Sequence, residues 1–256
     1  MPVIRNHRIR QSFCRWCFEQ IPIEALAREA AAIGYVGIDL VEPADWPILR
    51  SHGLICTMTP THALTKGLND PRNHEECLAK IRSAIELTAA AGFPNVICFP
   101  GNRAPGILDD EGARQTIHAV KQVVGLAEKL NVTLHLELLN SKVDHPSYMC
   151  DRSDWGAAVV TAVGSAHFKL LYDIYHMQVQ EGDVIATIRT LAPLIGHYHT
   201  AGVPGRHEID EDQELNYPAI MRAIVATGFT GIVAQEFIPV RDPLASLRQA
   251  AAICDV

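Results

Sequence analysis

The chain has no apolar run approaching the roughly 20 residues that a membrane-spanning helix needs, and no apolar stretch of leader length follows its basic N-terminal segment. It also lacks an excess of positive charge. Lys and Arg number 22 against 29 Asp and Glu, a formal net charge of −7, so the broad attraction to phosphate backbones that clustered basic residues provide is not expected. Seven cysteines, an odd number scattered at 14, 17, 56, 77, 98, 150 and 254, do not make the disulfide framework of a small secreted domain. Cys14-Arg-Trp-Cys17 has the spacing of half a zinc or redox site, but no second pair completes it, and reduced core cysteines are the expectation. No Pro-, Gly- or Ser-rich linker divides the sequence. These absences lead us to expect a cytoplasmic protein with no nucleic-acid or membrane partner, folded as one domain over residues 1–256.

With 48% hydrophobic and 20% charged residues, the composition suits a packed, enzyme-sized domain. Short apolar or β-branched runs at 9–14, 37–41, 54–59, 95–99, 132–137, 168–173, 196–200 and 232–236 read as strands. They alternate with helical patterns at 23–33, 46–52, 74–91, 111–130, 153–163, 184–191, 217–227 and 243–253. Ala-Ala-Ile-Gly-Tyr-Val-Gly, Ala-Ala-Gly-Phe-Pro-Asn-Val and Ala-Thr-Gly-Phe-Thr-Gly-Ile repeat one connection: a small-residue helix end, Gly, an aromatic, then a strand. Such alternation predicts an α/β fold, a single (β/α)8 TIM barrel, for which about 250 residues is the usual length.

In that architecture the C-terminal strand ends converge on one mouth, so the residues closing the strands deserve the closest reading. Glu137, Asp173, His199 and Glu236 close four successive runs. Alone, each is ordinary: a Glu after a strand is usually a solvated acid, and a strand His is often a hydrogen-bonded core residue. Together, three carboxylates and an imidazole suit a hard divalent cation, manganese, magnesium or cobalt, better than a thiolate-bound zinc. His135 and His197 share faces with Glu137 and His199 and are expected deeper, behind the ligands or in the core.

His176 follows Asp173 by three residues, where the strand is expected to give way to a loop, and either reaches substrate or is held by backbone hydrogen bonds. Arg206, in Gly202-Val-Pro-Gly-Arg-His-Glu208, offers a planar fork for a carboxylate or polyol, or pairs with Glu208 or Asp210. Asn140 offers an amide to substrate or metal, or caps a turn. Two long connections, 60–73 and 201–216, follow strands and are expected over the mouth; His62 and Lys66 in the first are further candidates to hold a substrate carboxylate.

Over nearly its whole length the chain resembles the hydroxypyruvate isomerase family, within the xylose-isomerase-like sugar isomerases and epimerases. The resemblance is carried by Leu136-Glu-Leu-Leu-Asn140, by Tyr172-Asp-Ile-Tyr-His-Met-Gln-Val-Gln-Glu-Gly-Asp183, and by Gly196-His-Tyr-His-Thr-Ala-Gly-Val-Pro-Gly-Arg-His-Glu208 leading to Glu214-Leu-Asn-Tyr-Pro218. It implies that Glu137 and Glu236 are an acid/base pair, that Asp173 and His199 complete a metal shell, that His176 and Arg206 contact substrate, and that the protein is a homo-oligomer. Two departures stand out. His199 occupies a position where hydroxypyruvate isomerases commonly have Gln and ketose 3-epimerases have His, and the loop from Thr59 to Asp70 lacks the usual Gly-Glu-Arg-Gly.

The expected chemistry is metal-assisted proton transfer through an enediolate on a small keto acid or sugar, hydroxypyruvate to tartronate semialdehyde in the first place. The same residues would serve a ketose 3-epimerase or a keto-sugar lyase or dehydratase. A barrel that only binds sugar is the non-enzyme alternative. A phosphodiesterase of the endonuclease IV type needs more metal ligands and a basic surface than this chain offers.

Overall fold

The structure, a computed structural model, describes residues 2–256. Among the described residues there are eight strands: β1 (Arg10–Phe13), β2 (Gly37–Ile38), β3 (Ile55–Cys56), β4 (Asn95–Cys98), β5 (Thr133–Glu137), β6 (Phe168–Asp173), β7 (Ile195–Thr200) and β8 (Ile232–Gln235). Each lies in or overlaps one of the expected runs. No helix among the described residues is long and apolar enough to cross a membrane. The seven cysteines are buried thiols, and no disulfide is found among the described residues.

The chain divides into two compact units. The first takes the chain up to Met58, Asp183–Ala192 and His197–Val256. Here β8 is paired in parallel with β1 on one side and with the His197–Thr200 part of β7 on the other. On the far side of β1, the Val36 amide donates to Gln11 O at 2.9 Å and that of Asp39 to Phe13 O at 2.8 Å, which brings in β2, itself paired with β3. Packing explains the covering helix. Ile23–Ile33 buries Leu26, Ala27, Ala30 and Ile33, spaced three and four apart, and ends at Gly34 with φ 107°. Gly92 and Gly228, in the other two copies of the repeated connection, also have positive φ, 66° and 79°. Phe13, Phe18, Tyr35 and Phe237 form an edge-to-face cluster with centroids 5.1–5.8 Å apart, seating the turn after β1 against the residue that follows Glu236.

The second unit takes Thr59–Gly182 and Pro193–Gly196. Its parallel ladder runs β4–β5–β6, with Cys98 beside Leu136 and Glu137 beside Leu171.

Three expectations about elements are corrected. β2 and β3 are two residues each rather than five and six. Leu40 turns to φ 60°, outside strand geometry, and donates to Met58 O, which ends the ladder. The helix expected over 111–130 is two, Asp109–Lys121 and Val124–Leu130. Val123 at the break has φ −126°, and this adjacent β-branched pair, poor in helix propensity, buries both side chains. Finally, the segment after β6 is no loop but the helix Ile174–Gln180, entered directly from the strand because the Asp173 side chain caps it, accepting from the His176 amide at 2.9 Å.

The loop after β8 is pinned by Glu208, whose Oε1 accepts from the Val240 amide at 3.1 Å, the Arg241 amide at 3.2 Å and Ser246 Oγ at 2.8 Å. Burial opposes this charge, but hydrogen bonds from its own backbone, Ser246, Arg241 and Val240 outweigh burial and hold the carboxyl below its usual range. A depressed folded-state value means stability that is complete above the ordinary carboxylate range and lost as pH falls through the lowered value. Glu208→Gln should therefore lower the melting temperature at pH 7, with the gap to wild type closing below about pH 4. An equal gap at pH 7 and pH 3 in thermal melts would contradict it.

Gly37 is needed where β2 meets β3, since an added Cβ would collide with the Ile55 carbonyl and come within 2.8 Å of Thr57 Cγ2. Gly37→Ala should cost about 1–3 kcal/mol of overpacking. Denaturant unfolding with an unchanged midpoint would show that the strands part freely.

Candidate active site

In the first unit four strands end in ionisable or sulfur-bearing side chains: Cys14 after β1, Asp39 after β2, His199 in the last turn of β7 and Glu236 after β8. The register puts His199 beside Ala234 and Thr200 beside Gln235, and the Glu236 amide continues the ladder to Thr200 O at 2.8 Å. His199 and Glu236 thus emerge together. His199 Nδ1 lies 3.2 Å from Glu236 Oε2. On the other side of the ring, Nε2 lies 3.2 Å from Asp39 Oδ2 and 3.7 Å from Cys14 Sγ.

Asp39 is fully buried. Its Oδ1 accepts from Ser12 Oγ at 2.6 Å and from Thr57 Oγ1, and its Oδ2 also takes His197 Nε2 at 2.7 Å. Burial alone would raise its carboxyl, but the His197 charge and the bonds from His197 and His199 prevail and hold it well below the ordinary range. Burial in turn pushes the His197 imidazolium down, partly offset by Asp39. Burial also keeps Cys14 a neutral thiol. For His199, burial disfavours the charged ring while Cys14, Glu236 and Asp39 oppose it; with the thiol neutral, the two carboxylates are the charges that count, and they raise it above the usual imidazole range.

Glu236 is held from two further directions. Trp16 Nε1 donates to Oε1 at 2.9 Å and Arg206 Nη2 to Oε2 at 2.6 Å. Burial would raise this carboxyl; His199, Arg206 and Trp16 together bring it well below. The Arg206 guanidinium lies 5.0 Å from the centroid of the Trp16 ring, so one indole orients both charges. Arg206 adopts φ 61°, a conformation a non-glycine residue holds at a cost of roughly 1–3 kcal/mol. It is fixed there by its amide to Gly202 O at 3.0 Å and by the Ile238 amide to its carbonyl at 2.7 Å. The pairing of Arg206 with Glu208 or Asp210 is not what forms: Arg241 takes both of those acids.

In the second unit, Glu137 and Asp173 close neighbouring paired strands and are 5% and 1% exposed. Tyr148 OH donates to the Glu137 carbonyl at 2.9 Å, fixing the backbone from which that side chain leaves. Asn140 and His176 are fully buried, with Asn140 Nδ2 2.7 Å from His176 Nδ1 and 2.6 Å from Asp144 Oδ2. Tyr175 OH also donates to Asp144 Oδ2, at 2.9 Å. Asn140 Oδ1 accepts from the amides of Val143 and Asp144, both at 3.0 Å, so the residue is a turn cap whose amide nitrogen organises His176. His62 is buried with Nε2 3.0 Å from Phe99 O, whereas Lys66 is exposed. Burial pushes the His62 imidazolium down.

Donors for a cation are present in the first unit: Asp39, His197 and His199 form one close group and Cys14, His199 and Glu236 another. Sequence reasoning missed Asp39 and Trp16. Asp39 falls in the middle of the expected run 37–41 and comes to follow a strand end only because β2 stops at Ile38, so the strand-end rule passed over it. For Trp16 the only signal was its place between Cys14 and Cys17.

Residues 27–254 match the family described as xylose isomerase-like TIM barrel. Among individual proteins, the chain is 26% identical over 250 residues to a putative hydroxypyruvate isomerase of Homo sapiens, covering 91% of this chain and 90% of that one. It is 40% identical over 170 residues to a 2-oxo-tetronate isomerase of Cupriavidus necator, covering 66% of this chain and 64% of that one. In fold it is similar to the crystal structure of an AP endonuclease, family 2, from Brucella melitensis, with a TM-score of 0.83 at 21% identity over 96% of this chain and 97% of that one. A match across so much of the sequence, on parallel strands that end in acids and histidine, makes this chain a member of the xylose isomerase-like TIM barrel family.

Proposed function

We propose that the chain is a divalent-metal-dependent isomerase that moves a proton between adjacent carbons of a small hydroxy-keto acid or sugar, hydroxypyruvate to tartronate semialdehyde being the first reaction to expect. The reading keeps the single (β/α)8 barrel over residues 1–256 that the sequence leads us to expect. Its metal ligands are those the sequence points to, Glu137, Asp173, His199 and Glu236, about one manganese, magnesium or cobalt ion. The observation that carries it is the His199–Glu236 pair at 3.2 Å, with the opposite ring nitrogen of His199 anchored on Asp39. That donor arrangement is how proteins present an imidazole to a metal. Two relatives bearing isomerase names support the reaction class.

Bound there, the cation would polarise the substrate's carbonyl and hydroxyl oxygens. The residues do the rest. Glu236, held ionised by His199, Arg206 and Trp16, is set to take a proton, and Glu137, buried at the end of β5, to return one. Arg206 has a second guanidinium nitrogen and a stacked position over Trp16 from which to bind a substrate carboxylate. His176, oriented by Asn140, contacts the substrate's hydroxyl side, and His62 and Lys66 lie on the loop assigned to its distal part.

Two features favour neighbouring substrates. Hydroxypyruvate and 2-oxo-tetronate share a 2-oxo-3-hydroxy acid head and differ only beyond C3, and the 40% identity to an isomerase named for the latter makes it the second substrate to test. His199 in its Gly-His-Tyr-His setting favours a ketose 3-epimerase, which would return the proton to the carbon it left.

Glu137→Gln and Glu236→Gln should each slow exchange of the substrate's α-proton with deuterated solvent by about 10²–10⁴-fold while leaving the fold intact. Undiminished exchange in both would remove the acid/base assignment. Product analysis by NMR then separates the outcomes: a new C–H at the former carbonyl carbon is isomerisation, inversion at one carbon is epimerisation, and an unsaturated product is elimination. No exchange across keto acids and ketoses would leave a binding protein. Removing metal with a chelator should abolish turnover and added manganese should restore it; full activity of metal-free protein, checked by elemental analysis, would contradict the metal assignment.

A further inference from the structure

We infer that Asp39, which lies outside the proposed ligand set, is the positioning residue that decides which nitrogen His199 offers to the cation and so sets how tightly the ion is held. The inference rests on the metal-binding reading above. Asp39 is fully buried and takes three hydrogen bonds, from Ser12 Oγ at 2.6 Å and Thr57 Oγ1 on Oδ1 and from His199 Nε2 at 3.2 Å on Oδ2, with His197 Nε2 also 2.7 Å from Oδ2. A carboxylate only accepts, so the imidazole bonded to it, His199, must carry a proton on Nε2. A neutral His199 protonated on Nε2 has its lone pair on Nδ1, the nitrogen that faces Glu236 Oε2 at 3.2 Å. Asp39 therefore fixes both the tautomer and the tilt of the ring, and its charge makes Nδ1 a better donor.

The surroundings favour this assignment over a purely structural one. Ser12 and Thr57 are hydroxyls that could turn elsewhere, yet both point their protons at the one oxygen that leaves Oδ2 to the histidines. The other neighbour of His199 Nε2, Cys14 Sγ at 3.7 Å, is a weak partner that could not hold the tautomer against a carboxylate. His197 stands edge-on to His199, with centroids 5.3 Å apart, and braces the same Asp39 oxygen. All of these groups lie in one compact unit.

Asp39→Asn keeps the shape. Its amide can turn NH2 toward the two hydroxyls, which can accept, and C=O toward the histidines, so the ring stays oriented but loses the charge behind it. Asp39→Ala removes the acceptor altogether. Manganese affinity, measured by titration calorimetry on the purified full chain, should weaken by about tenfold in Asp39→Asn and by up to about 100-fold in Asp39→Ala. Ring nitrogen-15 NMR of the magnesium-loaded protein supplies a readout that a merely structural role would not move. Wild type and Asp39→Asn should show His199 protonated on Nε2, and Asp39→Ala should lose that single tautomer. If Asp39→Asn is folded by circular dichroism and binds manganese within twofold of wild type, the inference is overturned while the metal reading stands. A wild-type protein that binds no manganese overturns both.

Discussion

A carboxylate taken out of water keeps its charge only where donors already surround it, and this requirement organises the ends of the strands. Asp39 is the fullest case: its three donors come from β1, the segment after β3 and β7, and a second imidazole of β7, His197, lies 2.7 Å from it. Two hydroxyls and two imidazoles must converge on one point, so strand register around that point admits no slip. A one-residue shift of β7 would turn His197 and His199 away and leave the buried charge facing nothing. Glu236 and Glu208 obey the same rule further along the chain. Glu236 is satisfied by indole and guanidinium as well as imidazole, while Glu208 is satisfied by backbone amides that close the loop beyond it.

The second unit meets the same demand with neutral groups. Asn140 stands at the centre, accepting from two turn amides and placing its NH2 against both His176 and Asp144. Because every polar atom of that side chain is engaged, the turn after β5 and the helix after β6 are locked to each other through it. Farther out, Arg103 is shared by Asp109 and Asp151, whose hydrogen bonds and charge raise its already high proton affinity. The loops that leave these strands are thus fixed by hydrogen bonds of stated geometry, and the side chains proposed for chemistry inherit that rigidity.

Much of this was legible in the chain. Eight strand runs with Gly-terminated helices announced parallel β/α units, and the residues closing the later strands were identifiable by position alone. The failures have physical causes. The helix Ile174–Gln180 carries no amphipathic repeat, and its start depends on one cap, Asp173, that reads in sequence as the end of a strand. β2 and β3 were overextended because Leu40 sits in an apolar run that reads as strand, yet its backbone turns to φ 60°. Asp39 was passed over because its importance comes from Ser12, Thr57, His197 and His199, which become neighbours only in the folded sheet. Trp16 likewise gains meaning only once Glu236 and Arg206 arrive beside it.

The cap on the helix after β6 has a consequence for how far the Asp173 side chain can move. Asp173 spends Oδ1 on the His176 amide at 2.9 Å, so the helix is retained only if that oxygen stays where it is. A carboxylate that must keep one bond to the turn above it cannot swing between rotamers without opening that turn. The first turn of a seven-residue helix thereby fixes the orientation of the acid that closes β6, and the acid in return fixes where the helix begins.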